Sequence, residues 1–292
     1  MPHTTTHRLR RYFFAAIVVS STAAVGCLSS SEPSPSDMLN EARQAMEDGD
    51  DATARTMAEG ASQNEAHAAH AEQILAELRR TRAQKHEHAG DYPRAHELFL
   101  EAASLESRRA LRGQDYKQAL INGQRARLEP STLMAIGDKA LQDRPHDPDI
   151  HRDIARLAEE QSDARRAITH YLWLFSADDS DLQAGLRLGV LYRGQQRPGD
   201  AVAVLSRLID HHPEDAQIAL QLAQAHADQG DHDDARSLFD GLLERFPDHP
   251  GLLNQIATFE QQRGNAERAQ SYRERAMEAS RTTSPQDMRP LR

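Results

Sequence analysis

The chain has little of what most folds and most enzymes require. Of its 292 residues, one is cysteine, one is tryptophan and 5% are aromatic. A single cysteine excludes a disulfide within the chain, and no segment shows the alternating, β-branched pattern of a half-buried strand. Hydrophobic residues make up 38% of the chain, a fraction that suits an alanine-rich packing of helices better than a sheet. We therefore predict an all-α protein.

The motifs of common active sites are also missing. The chain contains no G-x-S-x-G, no phosphate-binding P-loop, no G-x-G-x-x-G and no H-E-x-x-H. His96-Glu97 begins the last of these motifs, but Leu100 occupies the position of the second histidine. Lipidation of the one cysteine, Cys27, would remove the only thiol. We predict a protein that is not an enzyme and that needs no cofactor.

Fifteen histidines raise the question of a metal site. His67 and His70 lie three residues apart on a predicted helix and could share a face. His86 and His88 do not share a helical face, and His211-His212 lies in a predicted turn. With no cysteine partners and no compact set of histidines and carboxylates at ligand spacing, we predict no metal site. The histidines are interpreted as solvated or packing residues.

The most regular feature of the chain is a period of 34 residues. Leu182–Asp215 aligns with Ala216–His249, and the same frame extends to Pro148–Asp181 and Pro250–Thr283. Two columns of this frame hold only small residues: Ala155, Gly189, Ala223 and Ala257 in the first, and Ala167, Ala201, Ala235 and Ala269 in the second. Small residues allow two helices to approach closely. The period predicts an array of stacked helical hairpins, an α-solenoid.

These columns resemble the tetratricopeptide repeat family, whose signature is W-x2-L-G-x2-Y, then A-x3-F, then P. In one unit Gly185 replaces the tryptophan, and the signature continues through Leu188-Gly189, Tyr192, Ala201, Leu205 and Pro213. The resemblance implies four repeats in register over residues 148–281. It also implies that the first helix of each repeat lines a groove that binds a protein partner.

By the same resemblance, seven residues are expected to face the groove: Arg152, Arg156, Leu186, Val190, Arg193, Leu220 and Gln224. Three arginines on one groove could bind a carboxylate, because the guanidinium group matches it bidentately. The carboxylate clamp of the family uses lysine and asparagine columns, however, and this chain lacks them. Alternatively, the arginines form salt bridges with Asp153, Glu159 or Glu160.

Residues 37–147 follow the repeat only loosely and are interpreted as degenerate helical repeats. Glycine-aspartate pairs at Gly49-Asp50 and Gly90-Asp91 predict the turns of two hairpins. Extra residues between these hairpins predict one longer helix between Glu65 and His88. A third unit is predicted from Gly113 to Asp147, with a break at Glu129-Pro130-Ser131. After the array, residues 282–292 are expected to be a disordered tail.

The N-terminus has the pattern of a bacterial lipoprotein signal. Arg8, Arg10 and Arg11 precede the apolar run Tyr12–Val25, which is of the right length for a secretory signal. Ala24-Val25-Gly26-Cys27 resembles the lipobox, in which cleavage precedes a cysteine that is then lipidated. We predict a signal peptide over residues 1–26, lipidation at Cys27 and a Ser/Pro tether over 27–36. The alternative is an ordinary secretory signal with an incidental cysteine.

Location and charge together restrict the function. Removal of residues 1–26 would change the net charge from −10 to −13, because that segment holds three arginines and no acids. Such a chain does not suit nucleic acid. We expect a lipid-anchored scaffold of the bacterial envelope, at the outer rather than the inner membrane, that binds protein partners and assists assembly of an envelope complex. The alternative is an accessory protein that binds peptidoglycan or a peptide and regulates an enzyme.

Overall fold

A computed structural model describes residues 33–282. Over this range the chain forms fourteen α-helices and no β-strand. The helices are α1 (Pro35–Glu47), α2 (Asp51–Ala61), α3 (Glu65–His88), α4 (Tyr92–Leu105), α5 (Arg109–Arg125), α6 (Pro130–Asp143), α7 (Pro148–Glu160), α8 (Ala164–Ala177), α9 (Leu182–Gly194), α10 (Pro198–His211), α11 (Ala216–Gln229), α12 (His232–Arg245), α13 (Pro250–Gln262) and α14 (Ala266–Thr282). They pack in consecutive pairs as seven hairpins, which confirms the predicted all-α solenoid.

Four of the predicted features lie wholly or partly beyond this range. The signal peptide, the lipidated Cys27, residues 28–32 of the tether and residues 283–292 of the tail lie outside the described residues. The end of the predicted tether is described, and there Pro35 and Ser36 begin α1. Among the helices that are described, none combines the length and the apolar character needed to cross a membrane.

The 34-residue period is visible in where the helices begin. The first helices of the last four hairpins start at Pro148, Leu182, Ala216 and Pro250, and the second helices start at Ala164, Pro198, His232 and Ala266. Capping aspartates explain most of the first set: the carboxylates of Asp147, Asp181 and Asp215 accept hydrogen bonds from backbone N–H groups of the first turns of α7, α9 and α11. Each cap satisfies donors that a helix cannot satisfy internally.

Close approach of the two helices in a hairpin depends on the small columns. Ala155, Ala223 and Ala235 have no exposed surface. A Cβ atom added to Gly189 would lie 2.9 Å from the side chain of Leu205, closer than real contacts allow. The small residues are therefore a packing requirement of the hairpin crossing.

The third hairpin differs from its prediction. Helix α5 begins at Arg109, before Gly113, and Gly113 lies inside the helix against the side chain of Arg144. The crossing is made by Gly123, where an added Cβ would lie 2.5 Å from Leu133. In the 34-residue frame, Leu133 occupies the column that holds alanine in the later units. The large Leu133 on α6 is thus accommodated by Gly123 on α5, which lies outside the small-residue column of the repeat frame. Because of this shift, the two columns of small residues do not continue into the third hairpin.

The first helices of the hairpins make one continuous face of the array. Helix α9 contacts α11, and α11 contacts α13, while each second helix packs against its own first helix and the next one. Arg187 of α9 pairs with Glu159 of α7, so the outward sides of α7, α9, α11 and α13 lie side by side. We call this surface the first-helix face.

Candidate protein-binding face

The seven predicted groove residues lie on the three helices α7, α9 and α11 of the first-helix face. Val190 is 43% exposed, the highest value of any aliphatic residue predicted for the groove. Arg152, Arg193, Leu220 and Gln224 are partly exposed, and Arg156 is exposed. Leu186 is buried and belongs to the apolar core. It supports the face from beneath rather than offering a surface for contact.

Each of the three predicted arginines is already paired with a carboxylate. The Arg152 guanidinium donates a 2.8 Å hydrogen bond to Asp181, and Arg193 donates one of 2.6 Å to Asp228. Arg156 pairs with Asp153 at 3.3 Å and with Glu160 at 3.8 Å. The geometry thus favours salt bridges over a cluster of free cations, but only Arg156 pairs with carboxylates named in that alternative.

Most of these interactions join neighbouring hairpins. Arg152 connects α7 to the start of α9, Arg193 connects α9 to α11, and Arg156 also donates a 2.7 Å hydrogen bond to Gln124 of α5. Because each of these arginines is attached to one hairpin and hydrogen-bonded to the next, it restricts how the two hairpins can move relative to each other. We infer that these arginines help to set the geometry of the face.

A fourth arginine of the face was missed in the sequence. Arg187 of α9 pairs with Glu159 of α7, and both line a cleft of about 460 Å³ between the two helices. The floor of the cleft includes Tyr171, which is 2% exposed and whose pKa is raised above its ordinary value by burial. The signal was available, because Arg187 lies three residues before the predicted groove residue Val190 on the same helix.

Beyond the charged part, the face carries amide side chains. The Gln224 amide N–H donates a 2.9 Å hydrogen bond to the Gln255 oxygen of α13. The side-chain oxygen of Gln221 is buried, with no hydrogen-bond partner among the described residues. An amide group can donate and accept at once, as a peptide bond does. Gln224 is already bonded through both of its amide groups, to Arg193 and to Gln255, and the Gln221 oxygen is buried. Of these three amides, the exposed Gln255 is therefore the one suited to contact with an extended main chain.

Comparison with known proteins supports the helical-repeat fold. Residues 186–250 match the family model of the tetratricopeptide repeat. The fold is a tetratricopeptide repeat solenoid. Proteins built from these repeats are generally non-catalytic interaction scaffolds. No characterised protein is significantly similar in sequence to the whole chain.

Solved tetratricopeptide repeat structures share this fold at low sequence identity. A fragment of MamA from Desulfovibrio magneticus RS-1, residue 41 to the end, is 15% identical, with a TM-score of 0.52 over 59% of this chain and 97% of that one. A double mutant of MamA RS-1 is 14% identical, with the same TM-score and the same coverage. YrrB, described as a repeat protein with an unusual peptide-binding site, is 18% identical, with a TM-score of 0.49 over 57% of this chain and 86% of that one. The two MamA structures, whose TM-scores exceed 0.5, support a shared fold and nothing beyond it.

One cluster of histidines lies within the fourth repeat hairpin counted from the N-terminus. The ring of His151 stacks on Trp173 at 3.8 Å, and its Nδ1 atom lies 2.9 Å from Nδ1 of His170. The Nε2 atom of His151 lies 3.1 Å from the carbonyl oxygen of Pro145 and must donate to it. Nδ1 of neutral His151 is then an acceptor, so His170 donates. Burial lowers the pKa of His170 to about 4.

The expectation that no histidine shares a compact set with carboxylates is wrong at one hairpin turn. His226, Asp231 and Asp234 each place a ligand-type atom within 4.8 Å of the others. Their spacing along the chain, five and three residues, is not that of a familiar motif. The turn between two repeat helices brings them together, and linear spacing does not show it.

Proposed function

We propose that this protein is a non-catalytic scaffold whose first-helix face binds an extended segment of a partner protein. The observation that carries the proposal is Val190. It is a 43% exposed aliphatic side chain on α9, between paired arginines and uncharged amides. Of the three aliphatic residues predicted for the groove, it is the one that is exposed, since Leu186 is buried and Leu220 is partly buried. A partner would place an apolar side chain on Val190.

The amides and the salt bridges define what kind of segment fits. The exposed Gln255 amide can bond to a main chain in extended conformation, while the arginines offer no unpaired cation to a terminal carboxylate. An internal segment of low net charge therefore fits this face better than a C-terminal peptide does. Recognition of that kind depends on main-chain hydrogen bonds for affinity and on one or two side chains for specificity.

A pair of matched variants tests the proposal. Val190→Asp places a charge on the first-helix face, and Leu172→Asp places one on α8 at a residue that is 42% exposed on a second helix. Full-length protein and both variants are used to capture partners from envelope extract, and the affinity for the main captured protein is measured. We expect Val190→Asp to weaken binding at least tenfold, roughly 1.4 kcal/mol, and Leu172→Asp to bind as wild type. Equal binding by all three proteins contradicts the proposal.

We further propose that the scaffold is held in the bacterial envelope by a lipid on Cys27, at the outer membrane, where it assists assembly of an envelope complex. The support is the pattern Ala24-Val25-Gly26-Cys27 after a short apolar run. Acyl chains rather than charge would provide the attachment, because the mature chain is strongly acidic.

The second candidate function is an accessory protein that binds an envelope ligand and regulates an enzyme. The cleft of about 460 Å³ lined by Arg156, Glu159 and Arg187 is the observation that favours it. Retention of the full-length protein on purified peptidoglycan, abolished by Arg187→Ala and unaffected by Val190→Asp, would favour this function over the scaffold.

A further inference from the structure

The turn between α11 and α12 brings potential metal ligands from two helices together. Gly230 adopts a left-handed conformation, φ 96°, which lets the chain reverse within two residues. His226 in the last turn of α11 thereby meets Asp231 and Asp234 at the start of α12. The distance from His226 Nδ1 to the Asp231 carboxylate is 3.4 Å, and the His226 side chain is only 15% exposed.

The same turn occurs between α3 and α4, with one difference. There Gly90 has φ 78°, and His86 Nδ1 lies 2.9 Å from the carboxylate of Asp91. Asp91 also accepts a hydrogen bond from the backbone N–H of Arg94, so it caps α4. In this hairpin His86 is paired with Asp91, and Arg94 occupies the position that corresponds to Asp234. The pair of His86 and Asp91 stabilises this turn without a bound ion.

At the α11–α12 turn the third position is Asp234, and the charge is no longer balanced. Asp231 makes no capping hydrogen bond, although it occupies the N-cap position of α12. Within residues 33–282, neither Asp231 nor Asp234 forms an ion pair with an arginine or a lysine, and His226 is the one partner of Asp231. Two carboxylates therefore lie close together with His226, and no arginine or lysine of the described residues pairs with either of them. A cation at the centre of the three groups would remove their repulsion.

We propose that His226, Asp231 and Asp234 bind a divalent transition-metal ion, of which Zn²⁺ fits best. One imidazole nitrogen and two carboxylate oxygens are established zinc ligands, and three protein ligands leave a fourth position for water. The imidazole favours zinc over Mg²⁺ and Ca²⁺, which prefer oxygen ligands. Because the ligands come from both α11 and α12, the ion ties the two helices together across Gly230. Its role is to stabilise the hairpin, independently of partner binding.

The test uses the full-length chain and ZnCl₂, with binding measured against a chromophoric chelator and folding followed by circular dichroism. Asp234→Arg reproduces the α3–α4 turn, and Asp234→Asn keeps the size of the side chain. We expect both variants to bind zinc at least about tenfold more weakly than wild type, and to lose the rise in melting temperature that zinc gives wild type.

The matched control is His86→Gln, which removes the corresponding histidine of the α3–α4 turn and should leave zinc affinity unchanged. In the wild type, Co²⁺ should give the visible absorption of a tetrahedral site, and Asp234→Asn should abolish it. The proposal is overturned if the Asp234 variants bind zinc as wild type does. It is equally overturned if His86→Gln weakens binding as much, because the zinc is then held by scattered surface histidines.

Discussion

Arg152 of α7 donates a 2.8 Å hydrogen bond to one carboxylate oxygen of Asp181, and the other oxygen accepts the backbone N–H of Ala184 at 2.9 Å. The Asp181 carboxylate thus caps the N-terminus of α9 and connects this helix to the preceding hairpin. Interactions of this kind repeat along the first-helix face, where Arg193 reaches Asp228 of the next unit. The arginines that could have been a binding site are first of all connections between repeats.

The two functions of Asp181 should be separable by stability measurements. Asp181→Ala removes a helix cap, which typically costs about 0.5–2 kcal/mol, together with the salt bridge. Arg152→Ala leaves the cap in place and removes the partly exposed salt bridges to Asp181 and Asp149, each worth about 0.2–1 kcal/mol. We expect the larger drop in the free energy of urea unfolding for Asp181→Ala. A larger effect of Arg152→Ala would show that the cap contributes little.

Charge reversal at Arg152 and Arg193 distinguishes a structural from a binding role. The double variant Arg152→Glu, Arg193→Glu puts carboxylates beside Asp181 and Asp228. Because of this repulsion we expect a lowered melting point, and we expect wild-type partner affinity to be nearly independent of salt. An unchanged melting curve, together with a wild-type affinity that falls as salt rises, would instead identify the arginines as contacts for an acidic segment.

The repeat packing makes a quantitative prediction at three positions in the last complete repeats. Ala235 has no exposed surface and Leu222 is 5% exposed, whereas Asp233 is exposed. Ala235→Leu should overpack the helix crossing and cost about 1–3 kcal/mol. Leu222→Ala should leave a cavity and cost about 2–5 kcal/mol. Asp233→Ala is the control, expected within about 0.5 kcal/mol of wild type. Equal urea midpoints for the three variants would contradict the repeat frame.

The neutral histidine pair predicts loss of stability in mild acid. The pKa of His170 is lowered to about 4 by burial, with the charge of His151 as a smaller cause, so the unfolded chain binds more protons than the folded one between about pH 6.5 and 4. Its contribution to stability is present above the unfolded pKa and is lost as pH falls through that window. The free energy of unfolding should therefore decrease over this range, and His170→Gln should reduce the decrease.

Trp173 provides the measurement, because the only tryptophan of the chain stacks on His151 at 3.8 Å. Its fluorescence should report unfolding in urea at each pH. His146→Gln is the control, since His146 is exposed and lies 6.3 Å from the Trp173 ring. If His170→Gln and His146→Gln have the same acid dependence as wild type, the buried pair does not contribute to it.

The membrane anchor is tested by removing the modified atom. Cys27→Ser should release the protein from membranes, because an acyl chain requires the thiol. Fractionation of cells expressing wild type and variant, followed by a carbonate wash, measures this directly. Ser29→Ala, two residues further along the same segment, is the control and should remain with the membrane. A Cys27→Ser protein that survives the wash in the membrane fraction would rule out lipidation as the means of attachment.

The repeat architecture could be predicted because its determinants are local. A helix crossing requires small residues at fixed positions of one hairpin, and a turn requires glycine next to a capping residue. The turns at Gly49 and Gly90, and the long helix Glu65–His88, lie where the sequence pattern places them. The start of the third hairpin was predicted wrongly, because its helix crossing places Gly123 against Leu133 instead of two aligned small residues.

The residues of this sequence determined by themselves that the chain is an α-solenoid, and which of its helices form the first-helix face. Only the tertiary structure decided what the polar residues of the array do. Whether Arg152 is a free cation or the partner of Asp181 depends on how one hairpin lies on the next, and His226 meets Asp234 only through the turn at Gly230. Apolar periodicity repeats within every unit and can be read along the chain. Polar pairing between units is set by distance and orientation in space, which a linear pattern does not contain.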